Sequence, residues 1–384
     1  MNLYDVYPLL DVEPVKASGL FLWDKKNEKY MDMYGGHAVI SIGHNHPLYI
    51  EKITAQLNKI SFYSNSVVNC LQIELANKLT AMSGYDNFKL FLCNSGAEAN
   101  ENALKVASFY NGRKKVIAFK SSFHGRTSAA LSVTDDLSIS SPLNEREHTI
   151  FLPLNDIEAL NSALYEHKVC AVIIEGVQGV GGINVPSKAF LKRIRAVCDY
   201  TGALFIIDEV QSGYGRTGKF FAHQHAGVRP DIITVAKGMG NGFPLAATLI
   251  HPAIPAKYGM LGSTFGGNHL ACAAGLAVLE VIEKENLIEN AKQMGEYLSQ
   301  KLMESDGVQE VRGIGLMLGI KLDIPATEIR NELFKTHKIF TGTSSDKNII
   351  RILPPLNITE KEADLFMNAF NSVMEKQLVL NETF

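Results

Sequence analysis

The sequence is poor in cysteine, and it lacks any long apolar run. Its five cysteines are scattered, odd in number and free of CxxC spacing, which argues against a disulfide framework and a zinc site. No apolar run approaches the roughly 18 residues that span a membrane, and the acidic start lacks the basic region of a signal peptide. We therefore expect a cytoplasmic protein with neither a membrane partner nor a metal.

A basic surface and internal repeats are also missing. The net charge of −3 gives no electrostatic footprint for nucleic acid, and no repeat or low-complexity linker divides the chain. His44 and His46 lie close together, but no third metal ligand is in sight, so we expect them to cap a loop. At 384 residues the chain can form one large domain or two to three ordinary ones.

The stretch between residues 203 and 247 is the most informative. Residues 203–207 form an apolar run without polar alternation, which is typical of a parallel strand buried on both faces. Asp208 and Glu209 close this run, and only one of them can face a given ligand because successive side chains on a strand alternate. A second run, 232–236, leads into Lys237. We expect this lysine at the carboxyl end of a strand, where open α/β sheets bind ligands.

Apolar runs separated by helix-length gaps predict a doubly wound α/β domain with a largely parallel sheet. The predicted strands lie near residues 90, 118, 172, 205 and 234. A small hairpin precedes them, before residue 33. Beyond a helical region (270–303), the pattern predicts a separate α+β domain. Its elements are a glycine-rich strand (312–320), a helix, a strand (349–353) and a helix capped by Thr359 with Glu362.

A capping box of the S-x-x-E type, Ser95 and Glu98, opens a helix that should run to about Tyr110. Gly96 and Ala97 leave its first turn free of bulk. Unpaired amides at such a helix start attract phosphate, yet an ordinary capped helix explains these residues equally well. Both interpretations stay open on these residues alone.

Gly213, Gly215 and Gly218 match GxGxxG after a strand, which taken alone favours an NAD-dependent oxidoreductase. In a nicotinamide-binding fold that motif opens a helix directly, and an acid ends the next strand. Here an aromatic and basic segment (219–225) follows the glycines instead. We therefore regard the match as incidental.

Six strings in order resemble the class III pyridoxal-phosphate aminotransferases, and among them the acetylornithine aminotransferase group. They are NSGAEAN, FHGRT, LFIIDEVQSGYGRTG, AKGMGNGFP, STFGGN and RILPPL. The resemblance covers essentially the whole chain and implies a pyridoxal-phosphate-dependent transferase of fold type I. It also implies an N-terminal segment (1–46) packed with a small C-terminal domain (281–384), beside a large cofactor domain (47–280).

The resemblance assigns roles to residues around the cofactor. Lys237 would bind pyridoxal 5'-phosphate as a Schiff base and later act as the base for the proton shift. Asp208 would keep the ring nitrogen protonated. Val210 and Phe123 would pack on the two faces of the ring, and Gln211 would hydrogen-bond its phenolic oxygen.

The resemblance also implies how the phosphate and the substrates are held. The phosphate would rest on the amides of Gly96 and Ala97 behind the Ser95 cap, and Thr264 would reach it from the second subunit of a homodimer. The residues implied to hold the substrates are Arg126, Ser263 and Arg351. Of these, Arg351 would bind the α-carboxylate of 2-oxoglutarate or glutamate.

The implied reaction moves the ω-amino group of an N-acylated ornithine, acetylated or succinylated, to 2-oxoglutarate in arginine biosynthesis. Three hypotheses compete with it. Another class III ω-aminotransferase would act on ornithine, 4-aminobutyrate or an acyl-lysine. An aminomutase or racemase would use the same cofactor. A binding protein without catalysis would have no need to retain the lysine, the aspartate and the arginines together.

Two positions depart from the usual pattern of the family. The usual EP-Q-GEGG begins here at Glu175, but Val180 replaces its second glutamate, and His37 occupies a position where an aliphatic residue is common. In the family that glutamate pairs with the arginine matched by Arg351. With valine, Arg351 is either open throughout the cycle or neutralised by another carboxylate, and we favour the open state. The sequence leaves the acyl group of the donor undetermined.

Overall fold

Strands and helices alternate in the computed structural model, which describes residues 3–382. The strands are β1 (Pro14–Ser18), β2 (Phe21–Asp24), β3 (Lys29–Asp32), β4 (Lys89–Cys93), β5 (Lys115–Phe119), β6 (Thr149–Leu152), β7 (Val169–Glu175), β8 (Leu204–Asp208), β9 (Ile232–Val235), β10 (Ala246–Ile250), β11 (Val308–Ile314), β12 (Met317–Leu322), β13 (Ile339–Phe340) and β14 (Ile349–Ile352). The helices are α1 (Gly35–Ala38), α2 (Pro47–Leu57), α3 (Cys70–Ser83), α4 (Gly96–Asn111), α5 (Ser128–Ser132), α6 (Ile157–Glu166), α7 (Lys188–Thr201), α8 (His269–Lys284), α9 (Leu287–Met303), α10 (Ala326–His337) and α11 (Glu360–Glu382).

The large sheet has seven strands in the order β4-β10-β9-β8-β7-β5-β6. The strands from β9 to β6 are parallel to their neighbours, whereas β10 runs antiparallel to both β4 and β9. The predicted doubly wound, largely parallel sheet is therefore confirmed. The strands β6 and β10 were not among the predicted ones.

Neighbouring side chains of the central strands enter two different cores. On β8, Leu204 and Ile206 belong to the core that contains α4, whereas Phe205 and Ile207 belong to the core that contains α7. This alternation puts one helical layer on each face of the sheet. It also means that Asp208, next in the alternation, points towards the α4 side.

The N-terminal and C-terminal parts of the chain meet in a four-stranded sheet, β1-β2-β3-β13, and a three-stranded sheet, β11-β12-β14, belongs to the C-terminal part alone. The predicted hairpin is present as β2 and β3, and β3 also pairs in parallel with β13. The single glycine-rich strand predicted over residues 312–320 is wrong. The chain turns back at Gly315, whose φ is +58°, and forms the antiparallel pair β11 and β12.

No helix in the described part of the chain is long and apolar enough to cross a membrane. The domain boundaries at residues 46 and 280 stay predictions.

Candidate active site

The carboxyl ends of β7, β8 and β9 place three polar side chains beside one another. Glu175 pairs in register with Asp208, and Asp208 pairs with Thr234. Since parallel neighbours in register point to the same face, all three share the α4 side of the sheet. This row lies where open α/β sheets bind ligands.

Asp208 is fixed by a buried polar network. Its Oδ2 accepts a hydrogen bond from Asn100 Nδ2 at 2.7 Å and contacts His124 Nδ1 at 2.8 Å. The Oδ1 of Asn100 in turn accepts from Thr234 Oγ1 at 2.7 Å. The carboxylate is only 4% exposed, so its position is set before any ligand arrives.

Sequence reasoning assigned no role to Asn100 or His124, although both lie inside the NSGAEAN and FHGRT strings. A signal was available for Asn100, because it follows Gly96 by four residues and therefore shares a helix face with the candidate anion site. His124 gave no comparable signal.

Lys237 follows β9 after one residue, Ala236, and begins a short 3₁₀ turn, with a positive φ of 49°. Burial lowers the pKa of its amine, while the carboxylates of Asp208 and Glu175 oppose that shift and Arg351 adds to it. A lowered pKa increases the fraction of neutral amine near pH 7, which is the form that acts as nucleophile or base.

Glu209, the neighbour of Asp208, faces the other side of the sheet. Its carboxylate accepts from Ser212 Oγ at 2.6 Å and from the amides of Ala222 and His223 at 3.0 and 2.9 Å. It also contacts His223 Nδ1 at 2.7 Å. Protein groups therefore satisfy Glu209 fully, and Asp208 is the acid on the side of Lys237.

The start of α4 differs from the predicted capping box. Ser95 Oγ accepts from the Glu98 amide at 3.2 Å, as expected, but Glu98 Oε2 accepts from the Asn94 amide at 2.7 Å instead of the Ser95 amide. Only half of the box is formed. The amides of residues 95–97 donate to no group in the described residues, and they are available to an anion.

Gly96 is required at this helix start, because a Cβ there would lie 2.7 Å from Val210 Cγ1. The backbone therefore approaches the side chain that follows Asp208 and Glu209. The candidate anion site at the start of α4 therefore lies next to the carboxyl end of β8, where Asp208 is located.

Glu175 holds two loops beside the lysine. Its carboxylate oxygens accept from the Phe123 amide at 3.0 Å and the Gly179 amide at 2.9 Å. Burial raises its pKa to about 7, although His124 opposes the shift. Phe123 is half-buried, so the loop that carries it is anchored to the same row of polar side chains.

Arg351 is buried and lacks an acidic partner. Its Nε donates to the Thr343 carbonyl, and its Nη2 donates to Tyr34 Oη at 2.7 Å. Its Nη1 has no hydrogen-bond partner, and no carboxylate of the described residues lies within 4.0 Å of the guanidinium. Val180, which stands where the family pattern has a glutamate, is 37% exposed and carries no charge.

Gln211 contacts the N-terminal segment. Its Nε2 donates to the His37 carbonyl at 3.1 Å, while its buried Oε1 finds no partner within residues 3–382. His37 and Arg351 both contact the Tyr34 hydroxyl, so they meet from distant parts of the chain.

The other predicted substrate and phosphate residues lie nearer the surface. Arg126 is exposed and forms no ion pair with a described residue. Ser263 Oγ accepts from Asn94 Nδ2 at 3.2 Å, which places it beside the α4 start. Thr264 is exposed on an open groove of about 430 Å³ that Phe62 and Asn65 also line.

Comparison with known proteins covers almost the entire chain. The family model described as Aminotransferase class-III matches residues 5–374. The acetylornithine aminotransferase of Methanosarcina acetivorans is 41% identical over 353 residues, which cover 91% of this chain and 88% of that protein. The acetylornithine aminotransferase of Archaeoglobus fulgidus is 42% identical over 366 residues, covering 94% and 96%. The crystal structure of the ornithine aminotransferase from Toxoplasma gondii superposes with a TM-score of 0.92 at 29% identity, covering 100% and 94%.

Proposed function

The chain belongs to the class III aminotransferase family, and we propose that it uses pyridoxal 5'-phosphate to transfer the ω-amino group of an N-acylated ornithine to 2-oxoglutarate. The observation that carries the proposal is the placement of Lys237 at the carboxyl end of β9, on the side of Asp208 and Glu175. Relatives about 40% identical over more than nine-tenths of the chain are named acetylornithine aminotransferase. Their name supports an acylated ornithine as the donor.

The residues present fit the cofactor. The free amides of residues 95–97 suit its phosphate, and the fixed Asp208 carboxylate suits a protonated ring nitrogen. Gln211 Oε1 lacks a partner in the described part of the chain and suits a polar group at the ring edge. When bound, the cofactor supplies an electron-accepting ring for the carbanion formed at the amine-bearing carbon.

The protein's own groups hold the cofactor and move the proton. Lys237 Nζ would hold the cofactor and, once a substrate amine has taken its place, would accept the proton from the amine-bearing substrate carbon and donate it again to complete the 1,3-proton shift. Asp208 keeps a proton on the ring nitrogen. Arg351 Nη1 binds a substrate carboxylate, and the exposed Arg126 binds the carboxylate of the acylated donor.

The glycines of the GxGxxG match support no nicotinamide site. Residues 213–218 lie in consecutive turns, and a short 3₁₀ turn, Ala222–Ala226, follows them instead of an α-helix. A dinucleotide therefore lacks the helix start that binds its pyrophosphate in a nicotinamide fold.

A homodimer with shared sites forms part of the proposal. Two segments pack together around Thr264, because the rings of Phe62 and Phe265 lie 5.5 Å apart and Asn65 Nδ2 donates to the Ser263 carbonyl at 2.9 Å. Soluble monomers rarely expose large apolar patches. Phe62 and Phe265, which pack together beside Thr264, are both exposed, and so is Tyr63 next to Phe62.

The subunit arrangement is tested by complementation. Each site takes its lysine from one chain and its threonine from the other, so Thr264→Ala mixed with Lys237→Ala should give heterodimers with one undamaged site. Activity should partly recover on subunit exchange. No recovery despite demonstrated exchange would place both residues in one chain's site.

The reaction is tested with purified protein, 2-oxoglutarate and either N-acetylornithine or N-succinylornithine, with glutamate as the measured product. Lys237→Ala should abolish both turnover and the visible absorbance of the bound cofactor. Lys219→Ala, at an exposed lysine, serves as the matched control and should retain both. Normal turnover by Lys237→Ala overturns the catalytic assignment, and glutamate formed from ornithine or 4-aminobutyrate alone overturns the assigned donor.

A further inference from the structure

The short element α1 is a left-handed turn. Its four residues all have positive φ: 56° at Gly35, 55° at Gly36, 68° at His37 and 64° at Ala38. The Ala38 amide donates to the Tyr34 carbonyl at 2.9 Å and so closes the turn. Residues with a Cβ rarely adopt this conformation, and strained backbone of this kind clusters at ligand sites. The turn therefore calls for a functional explanation at His37.

The turn brings His37 against the side chain that holds Arg351. Tyr34 Oη lies 2.8 Å from His37 Nδ1 and accepts from Arg351 Nη2 at 2.7 Å. A tyrosine hydroxyl has one proton. When Tyr34 donates that proton to the neutral imidazole, its lone pairs are left for the guanidinium. Arg351 is thus held by a neutral oxygen.

Because its hydrogen-bond partner Tyr34 is neutral, the positive charge of Arg351 is not compensated by a counter-ion. Glu175 is the carboxylate that attracts this guanidinium from a distance. Arg330 repels the guanidinium, and the positive charge of Lys237 acts on the neighbouring His37. The unpartnered Nη1 lies near Gly179, where a Cβ would be 3.6 Å from it. A buried donor without an acceptor is costly, and a ligand carboxylate relieves that cost.

We propose that Tyr34 and His37 are positioning residues that keep Arg351 open for the carboxylate of a five-carbon dicarboxylate, and so set the preference for glutamate and 2-oxoglutarate. The inference rests on the proposed function and adds the group that orients the carboxylate site. An acidic side chain would pair with Arg351 and block it. Here the neutral Tyr34 hydroxyl contacts the guanidinium instead, and the neutral His37 imidazole contacts that hydroxyl.

Tyr34→Phe tests the hydroxyl in the cofactor-loaded protein. Calorimetry with glutarate, an unreactive five-carbon dicarboxylate, should show roughly tenfold weaker binding, since a hydrogen bond to a charged group is lost. In single-turnover half-reactions, kcat/KM should fall by a similar factor for glutamate and by less than about twofold for N-acetylornithine. Tyr30→Phe is the matched control, because its hydroxyl donates to Glu28 at 3.1 Å, and it should change neither.

His37→Gly separates positioning from folding. Glycine tolerates the positive φ, so the melting temperature should not fall, whereas the missing imidazole should weaken glutarate binding in the same direction as Tyr34→Phe. A lower melting temperature with equal losses in both half-reactions overturns the proposal and makes the turn a purely structural element. Unchanged glutarate binding in both variants overturns it as well.

The two proposals fail separately. If the wild-type protein binds glutarate and loses that binding in Tyr34→Phe, but turns over no acylornithine, the donor assignment falls and the carboxylate site stands. If the protein turns over acylornithine but Tyr34→Phe slows both half-reactions equally, the inference falls alone.

Discussion

Two adjacent carboxylates on opposite faces of β8 show how similar chemistry serves different ends. Asp208 and Glu209 are both buried, and each contacts the Nδ1 of a histidine, at 2.8 Å and 2.7 Å. On the Glu209 side, His223 Nε2 contacts Tyr85 Oη at 2.5 Å, which completes a closed chain of buried partners. On the Asp208 side, His124 Nε2 has no partner among the described residues. A buried group fully satisfied by its own protein stabilises the fold, and one left incomplete is available to a ligand.

The largest effect on the catalytic rate is expected at Asp208, on the open side of β8, where His124 Nε2 has no partner among the described residues. Asp208→Asn removes the charge that keeps the ring nitrogen protonated, and kcat should fall roughly a thousandfold or more, about 4 kcal/mol of barrier. Cofactor binding and the melting temperature should change much less. Stopped-flow absorbance of each half-reaction measures the rate. A rate within about tenfold of wild type would transfer the role to another acid.

Glu209→Gln is the matching change on the closed side of β8, where Glu209, His223 and Tyr85 form a chain of buried partners. The change weakens the acceptor of several buried hydrogen bonds, and unfolding should become easier by about 3 kcal/mol. The rate per molecule of bound cofactor should stay within roughly tenfold of wild type. Urea denaturation and titrated turnover measure the two quantities. A thousandfold slower enzyme of normal stability would show that the two acids have been assigned the wrong way round.

Glu175 lies on the same face of the sheet as Asp208, and its contribution to stability depends on pH. Because its pKa is raised to about 7 in the folded protein from 4.5, its contribution to stability is present below pH 4.5 and is lost as the pH rises through about 7. Glu175→Gln should flatten that part of the stability profile, by about 2 kcal/mol between roughly pH 5 and 8. Melting temperatures across this range measure the effect, and an unchanged slope would contradict it.

Tyr85→Phe should have the smallest effect. It removes the hydroxyl at the end of the Glu209 chain, so the free energy of unfolding should fall by about 1 kcal/mol while turnover stays unchanged. The urea midpoint and the steady-state rate are the two measurements. Slower turnover would mean that the hydrogen bonds of Glu209, His223 and Tyr85 influence the catalytic rate.

Periodicity predicted much of the fold because the central strands are buried on both faces. Continuous apolar runs marked β7, β8 and β9, and the end of the run 232–236 identified Lys237. Alternation alone left the choice between Asp208 and Glu209 open. Only the packing of α4 and α7 on opposite faces resolves it.

Local motifs were less decisive, as two identical helix-start patterns show. Thr359 and Glu362 form a complete capping box, with hydrogen bonds of 2.9 and 3.3 Å. Ser95 and Glu98 carry the same pattern, but the Glu98 carboxylate accepts its hydrogen bond from the Asn94 amide instead of the Ser95 amide. The path of the chain into each helix decides between the two outcomes, and that path is a tertiary property.

Long-range contacts in the site had no sequence signal. Tyr34 and Arg351 are 317 residues apart, and neither spacing nor composition links them. His37 was singled out as unusual, but its partner was not.

The parallel pairing of β3 with β13 has a consequence during protein synthesis. Met31 pairs with Ile339, and the Met33 amide donates to the Phe340 carbonyl at 3.1 Å. At about 5–20 residues per second, a ribosome needs tens of seconds to make the chain between these strands. Until then β3 has an unpaired edge, a feature that invites association with other chains. The turn with His37 directly follows that edge, so the carboxylate site is among the last parts of the nascent protein to be assembled.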